Sequence, residues 1–235
     1  MGRRKLWGSR DIPHCPDPER YTLVKSSAGK VRPHWRHKRG TFNEANLNKP
    51  FGENASQSVI SGPAGKLVMD RLRPFMRDMY LGRVHLTVAN RLRTVLKNKG
   101  VMNYSLLKGL EMQPDYPLDG LLTAHYKVAI NGDVLRVTIP LEEMSVNRQG
   151  PMVTDYYFEL ILLTGRPSEP HKLRVTNAES QLYPYEFQGN DICSLSVMLP
   201  EKNVPWMALL KIGSLEGDEL AVHCKHYGMR VVEVG

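Results

Sequence analysis

From residue 118 onward the chain changes period: apolar residues recur at every second position, β-branched side chains become frequent, and the runs are short. The sharpest point is Asn131-Gly132, set between Leu121–Ile130 and Val134–Ile139. Asn-Gly takes the positive φ values of a type I′ turn, whose twist matches that of paired strands, so the pattern predicts a hairpin there. Further runs read as strands at Tyr156–Thr164, His171–Thr176, Ile192–Leu199, Trp206–Ile212, Leu220–His226 and Met229–Val234. Short strands punctuated by Gly, Pro, Asn and Asp predict an antiparallel β-sandwich of about seven or eight strands, not an alternating βαβ sheet.

Residues 51–117 have a different rhythm. Leu67, Leu72, Phe75, Met76 and Met79 are spaced three and four apart, which predicts a helix over Ala64–Met79 with Pro63 just before its start, where a missing N–H is tolerated. Pro74 is expected to bend or stop it. A second helix is expected over Arg83–Lys99, with a stripe of Leu81, Val84, Val88, Leu92 and Val95 and a stop at Gly100. Residues 1–50 hold Pro13, Pro16, Pro18 and Pro33, which forbid a continuous helix. Short extended pieces at Tyr21–Lys25 and Lys30–His34, joined by a turn at Ser26–Gly29, make this segment a basic ribbon. The expected fold class is therefore α+β: a basic N-terminal arm (1–50), a segment of two or three helices (51–117) and the antiparallel sandwich (118–235).

Charge follows the same division. Residues 1–100 carry 21 Lys and Arg against 7 Asp and Glu, and residues 101–235 carry 11 against 17, so the net +8 is the sum of +14 and −6. Within the arm, Arg20, Lys25, Lys30, Arg32, Arg36, Lys38 and Arg39 face no acid between Arg20 and Glu44. Packing such a run against itself costs repulsion, and a polyphosphate partner removes that cost while releasing condensed counterions. Trp35 supplies a π-face on which a base stacks, and Arg91 and Arg93 on the second helix extend the same field. Lys97 and Lys99 also complement the helix dipole, a purely structural role.

The remaining motifs exclude more than they assign. Ser61-Gly62-Pro63-Ala64-Gly65-Lys66 looks like a phosphate loop, but the first Gly of that pattern falls at Ile60 and the Ser or Thr after the Lys falls at Leu67. His223, Cys224 and His226 crowd one expected strand, where side chains alternate between faces, so that strand supplies at most two ligands to one ion. Glu142-Glu143 and Asp218-Glu219 sit beside expected turns, where carboxylates keep loops wet. The expectation is no catalytic residue, no metal and no cofactor. The longest purely aliphatic stretch, Leu160–Leu163, is far short of the roughly 20 residues that span a bilayer. Three scattered cysteines make no disulfide framework and fit a reducing cytoplasm.

Tyr21–Lys25, Gly29–Gly40, Glu53-Asn54, Ala64-Gly65-Lys66-Leu67, Leu72-Arg73-Pro74 and Ser105-Leu106-Leu107-Lys108-Gly109 occur in that order. In this combination the chain resembles an uncharacterised family of Bacteroidota proteins, with a basic arm, an Ala-Gly-Lys-Leu helix ending Leu-Arg-Pro, a Ser-Leu-Leu-x-Gly signature and C-terminal strands. It departs from that pattern at Lys49–Gly52, where relatives place an Arg-Thr-Arg run. The resemblance implies the layout of the chain and no activity.

Together these readings lead to a non-enzymatic protein that binds DNA or RNA with low sequence specificity. The site residues are Arg20, Lys25, Lys30, Arg32, Trp35, Arg36, Lys38 and Arg39 of the arm, joined by Arg91 and Arg93. The rival expectation is a structural or assembly protein whose β-sandwich and arm form subunit or partner contacts, the arm meeting an acidic protein surface, including that of a second copy in a homo-oligomer.

Overall fold

The computed structural model describes residue 19 and residues 21–24, 34–37, 49–77, 79–142, 145–186 and 189–235. The chain divides into two compact units, Met1–Asn54 and Ala55–Gly235. In the first, β1 (Tyr21–Val24) pairs antiparallel with β2 (His34–His37), so that Tyr21 faces His37 and Leu23 faces Trp35. The apolar cross-strand pair Leu23 and Trp35, both half-buried, accounts for this register. The second strand therefore starts at His34 instead of ending there. The expected turn at Ser26–Gly29 lies outside the described residues.

The second unit is α+β, with antiparallel sheets. Helix α1 spans Lys49–Leu72 and passes into a 3-10 turn, Arg73–Met76, at Pro74, while α2 spans Val84–Lys99 and closes at Gly100. Pro63 lies inside α1, not before it. The expected start at Ala64 is thus corrected: the helix runs on through Ser56–Gly62, where apolar spacing is too sparse to signal it. Each helix buries one stripe, Ala64, Val68 and Leu72 on α1 and Val84, Val88, Leu92 and Val95 on α2. The two helices meet at Gly65, where an added Cβ would stand 2.8 Å from the Cβ of Ala89. Only a residue without a side chain permits that approach.

The hairpin expected around Asn131-Gly132 forms from β3 (Lys127–Asn131) and β4 (Val134–Leu141), but its turn is corrected: Asn131 pairs with Val134, so Gly132-Asp133 are the two turn residues, and of these only Gly132, at φ +64, has positive φ, which is not the expected type I′ Asn-Gly turn. Its first strand is shorter than expected: Leu121 ends a single helical turn, α3 (Leu118–Leu121), that buries Leu118 and Leu121, Leu122 bridges to Val146, and regular pairing starts only at Lys127. A larger sheet contains β5 (Asp155–Thr164), β6 (Arg174–Glu179), the two-residue β7 (Tyr183–Pro184), β9 (Trp206–Glu216), the two-residue β10 (Glu219–Leu220) and β11 (Gly228–Val234). Its main order is β10-β9-β5-β6, with β11 also on β9 and β7 on β5. A smaller sheet has the order β3-β4-β8, where β8 is Asp191–Met198.

Two expected strands change character. Pro170–Lys172 forms a 3-10 turn in which Glu169 pairs with Lys172 at 2.7 Å, so β6 starts only at Arg174. After Leu220 the chain turns through another 3-10 segment, Cys224–His226, where His223 Nδ1 accepts from the Lys225 N–H at 3.1 Å.

Two apolar clusters hold this unit together. One joins the inward stripes of α1 and α2 to Ile161, Leu163, Met207, Leu209, Met229 and Val231. The other joins Tyr156, Phe158, Leu160 and Leu162 of β5, with Ala208 and Leu210 of β9, to the inward residues of β4 and β8. Strands β5 and β9 are thus buried on both faces, which is why Tyr156–Leu163 reads as a nearly unbroken apolar run with Glu159 as its one charge. The free edge of β11 is covered by 109–112 through Gly109 N–H to Val231 O and Met112 N–H to Met229 O, each at 2.8 Å.

Candidate nucleic-acid interface

Helix α2 contains no acidic residue. Burying one apolar stripe forces everything else outward, and Arg83 and Lys97 are exposed, with Arg93 half-exposed beside them. Arg91 and Arg93 stand two residues apart, about 200° around the helix axis. The expected pair is accordingly split between two flanks: Arg91 Nη1 donates to Leu106 O at 2.9 Å, while Arg93 Nη1 donates to Ser58 Oγ on α1 at 3.1 Å. Lys99 Nζ reaches Ser105 Oγ at 3.3 Å. These partners are neutral, so the hydrogen bonds fix the side chains and leave their charge uncancelled.

Residues 55–110 hold ten Lys and Arg against two Asp, a net +8, whereas residues 111–235 hold ten against seventeen, a net −7. Among the described residues, only Arg73 and Lys108 of the first ten sit in ion pairs. In the strand half Arg148, Arg166, Lys172, Lys211 and Arg230 do so. Arg230 is the most tightly held, with Nη1 and Nη2 each 2.6 Å from Asp119 and Nε bonded to Glu111. Of the strand-half carboxylates in these pairs, only Glu233 serves a cation of residues 55–110, Lys108, and none pairs with a cation of α2.

The arm contributes less that is described. Trp35 is half-buried in β2, and Arg36 lies on the same strand. Arg20, Lys25, Lys30, Arg32, Lys38 and Arg39 lie outside the described residues.

One buried charge cluster escaped the sequence. On β9, Lys211 Nζ lies 3.1 Å from Glu159 Oε2 of β5, and Asn177 Nδ2 donates to the other carboxylate oxygen at 2.7 Å. Glu159 and Lys211 are only 6% and 8% exposed. Lys211 also stands 5.4 Å from the centre of the Tyr157 ring. Burial works to lower the lysine pKa, but Tyr157 and Glu159 outweigh it and the pKa rises. Cross-strand pairing sets Glu159 opposite Lys211, with Asn177 opposite Ile161 and Tyr157 opposite Gly213, each one diagonal step away, an arrangement visible only once β5, β6 and β9 are aligned.

The histidine and cysteine group does not build a centre. Cys224 Sγ is 3.8 Å from His223 Nδ1. His226 is buried, its Nε2 is 3.7 Å from Glu216 Oε1, and its Nδ1 has no hydrogen-bond partner. Burial first, and the Lys225 charge second, hold its pKa below the ordinary histidine value. Among the described residues no three His, Cys, Asp or Glu are grouped closely enough to hold a metal ion, and no helix is long and apolar enough to cross a membrane.

A cleft of about 820 Å³ opens at the C-terminal end of α2. The 101–105 segment, the β3–β4 turn, Arg166, the 199–205 loop and the end of β11 line it together with Lys99. Its walls are pinned: the buried Tyr104 hydroxyl donates to Gly165 O at 2.8 Å, and Gly165 N–H donates to Pro205 O at 2.8 Å. Gly165 has φ +106 and lies so close to Lys172 O that a Cβ there would collide with it. No family model, no curated protein and no solved structure matches the chain.

Proposed function

We propose that this is a non-enzymatic nucleic-acid-binding protein of low sequence specificity, acting in the cytoplasm, which contacts its partner through the basic arm and, in the second unit, through the outer face of α2. The two sheets that share the second apolar cluster act as a β-sandwich scaffold for that surface. The observation that carries the reading is the unequal pairing of charge: two of ten cations in residues 55–110 are matched to carboxylates among the described residues, against five of ten beyond them. A surface of cations held by neutral hydrogen bonds suits a phosphate backbone, which supplies charge without demanding a sequence. The arm adds a net +7 over residues 1–54.

The test is equilibrium binding of the full chain to DNA and RNA oligonucleotides across a salt series. If six to ten phosphates are contacted, affinity falls by about 10³ to 10⁵ between about 50 and 200 mM salt. The double variant Arg93→Glu/Lys97→Glu weakens binding to every sequence alike and flattens the salt slope by about 1 for each lost contact. Binding that is absent, or indifferent to salt, rejects the reading.

A second reading, an assembly protein, draws on the small sheet. Ile192 and Met198 are 65% and 61% exposed on its solvent side, and β8 is an edge strand of that sheet.

A further inference from the structure

The cleft beside α2 has a composition that phosphate contacts alone do not require. Its volume lies inside the range of about 300 to 1,000 Å³ typical of small-molecule sites. Val101, Met102, Leu199, Val204 and Pro205 make the walls apolar. Asn103 and Asn203 add amides, Asp133 and Glu201 add acceptors, and Lys99, Arg166 and Lys202 bring positive charge to the same lining. Asn203 is the one non-glycine residue with positive φ among the described residues, at +73. Asn adopts that region readily in an exposed turn, so here it shapes the 199–205 loop that forms one wall. The hydrogen bonds of Tyr104 and Gly165 tie the 101–105 segment and the 199–205 loop to the strand end between them.

Apolar walls with a few amide and carboxylate groups match the face and edge of a nucleobase, and lysines at the rim match its phosphates. Lys99 belongs both to the last turn of α2 and to the cleft lining, so the basic face leads into the cleft. Resting on the function proposed above, we infer that the cleft receives one unstacked base of a single-stranded nucleic acid while the flanking sugar-phosphate chain follows the cations of α2. A base inside a duplex is paired and stacked and does not enter. The protein therefore prefers single strands.

The experiment compares the full chain binding a labelled oligothymidylate and a duplex of equal length at one salt concentration. Stacking of one base predicts a single-strand preference of about tenfold or more. Val101→Met, at a position 53% exposed, extends an aliphatic chain over the mouth without offering a stacking face and brings single-strand affinity down toward that of the duplex, with duplex affinity unchanged. Lys202→Glu, on an exposed loop position, lowers single-strand affinity more than duplex affinity and carries the test should the methionine variant fail to fold. Equal affinity for both substrates, or both variants binding the single strand as the parent does, overturns the cleft and leaves the basic face standing. Salt-sensitive binding to neither substrate overturns the function itself.

Discussion

Glu159 and Lys211 lie across the β5–β9 ladder with almost no access to water. Removing water from two opposite charges costs about as much as their attraction returns, so the pair adds little net stability, yet neither partner tolerates being left alone. Lys211→Met strands the Glu159 carboxylate with Asn177 as its remaining hydrogen-bond donor, and is expected to cost about 3 to 5 kcal/mol in urea unfolding. Glu159→Leu combined with Lys211→Met recovers most of that loss. A double variant as weak as the single one would show that the ion pair itself, and not an orphaned charge, stabilises the sheet. At the same scale Arg91 and Arg93 were readable as members of a basic helix, and their two-residue spacing already implied opposite flanks, but their partners Leu106 and Ser58 were not readable, because they are distant in sequence.

Pro63 sets the question at the level of the elements. Inside α1 it removes the N–H that would bond to the Val59 carbonyl and crowds the preceding turn, at a cost of up to about 3 kcal/mol. Pro63→Ala is therefore expected to raise the melting temperature clearly. No change would place Pro63 back at a helix start, as the sequence pattern suggested. The strands with the strongest alternation or turn chemistry, β4, β8 and the Asn131-Gly132 hairpin, were legible before any coordinates. Leu220–His226 was not, since a capping histidine and a strand histidine look the same in one dimension. Double burial of β5 and β9 was written in their continuous apolar runs, but a sandwich expectation assigns only one face of each strand to a core and leaves no place for the helices. The cleft was invisible because its lining comes from segments far apart along the chain, with only the Pro200–Pro205 turn as a local sign.

For the molecule as a whole, the described apolar clusters draw only on residues from Ala64 onward. Removal of residues 1–48 is thus expected to leave a cooperative melt and an unchanged oligomeric state by light scattering, while affinity for oligonucleotides falls with the loss of the arm's cations. A change in oligomeric state on truncation supports the assembly reading instead. The pairing of β5 with β9 joins Asp155 to Leu215 and Thr164 to Trp206, and the stripes of α1 and α2 rest on β9 and β11. During synthesis the helices leave the ribosome long before the strands that cover them. Until those last strands emerge, the nascent chain carries its greasy helical stripes uncovered, so chaperone dependence and misassembly concentrate in that interval of translation.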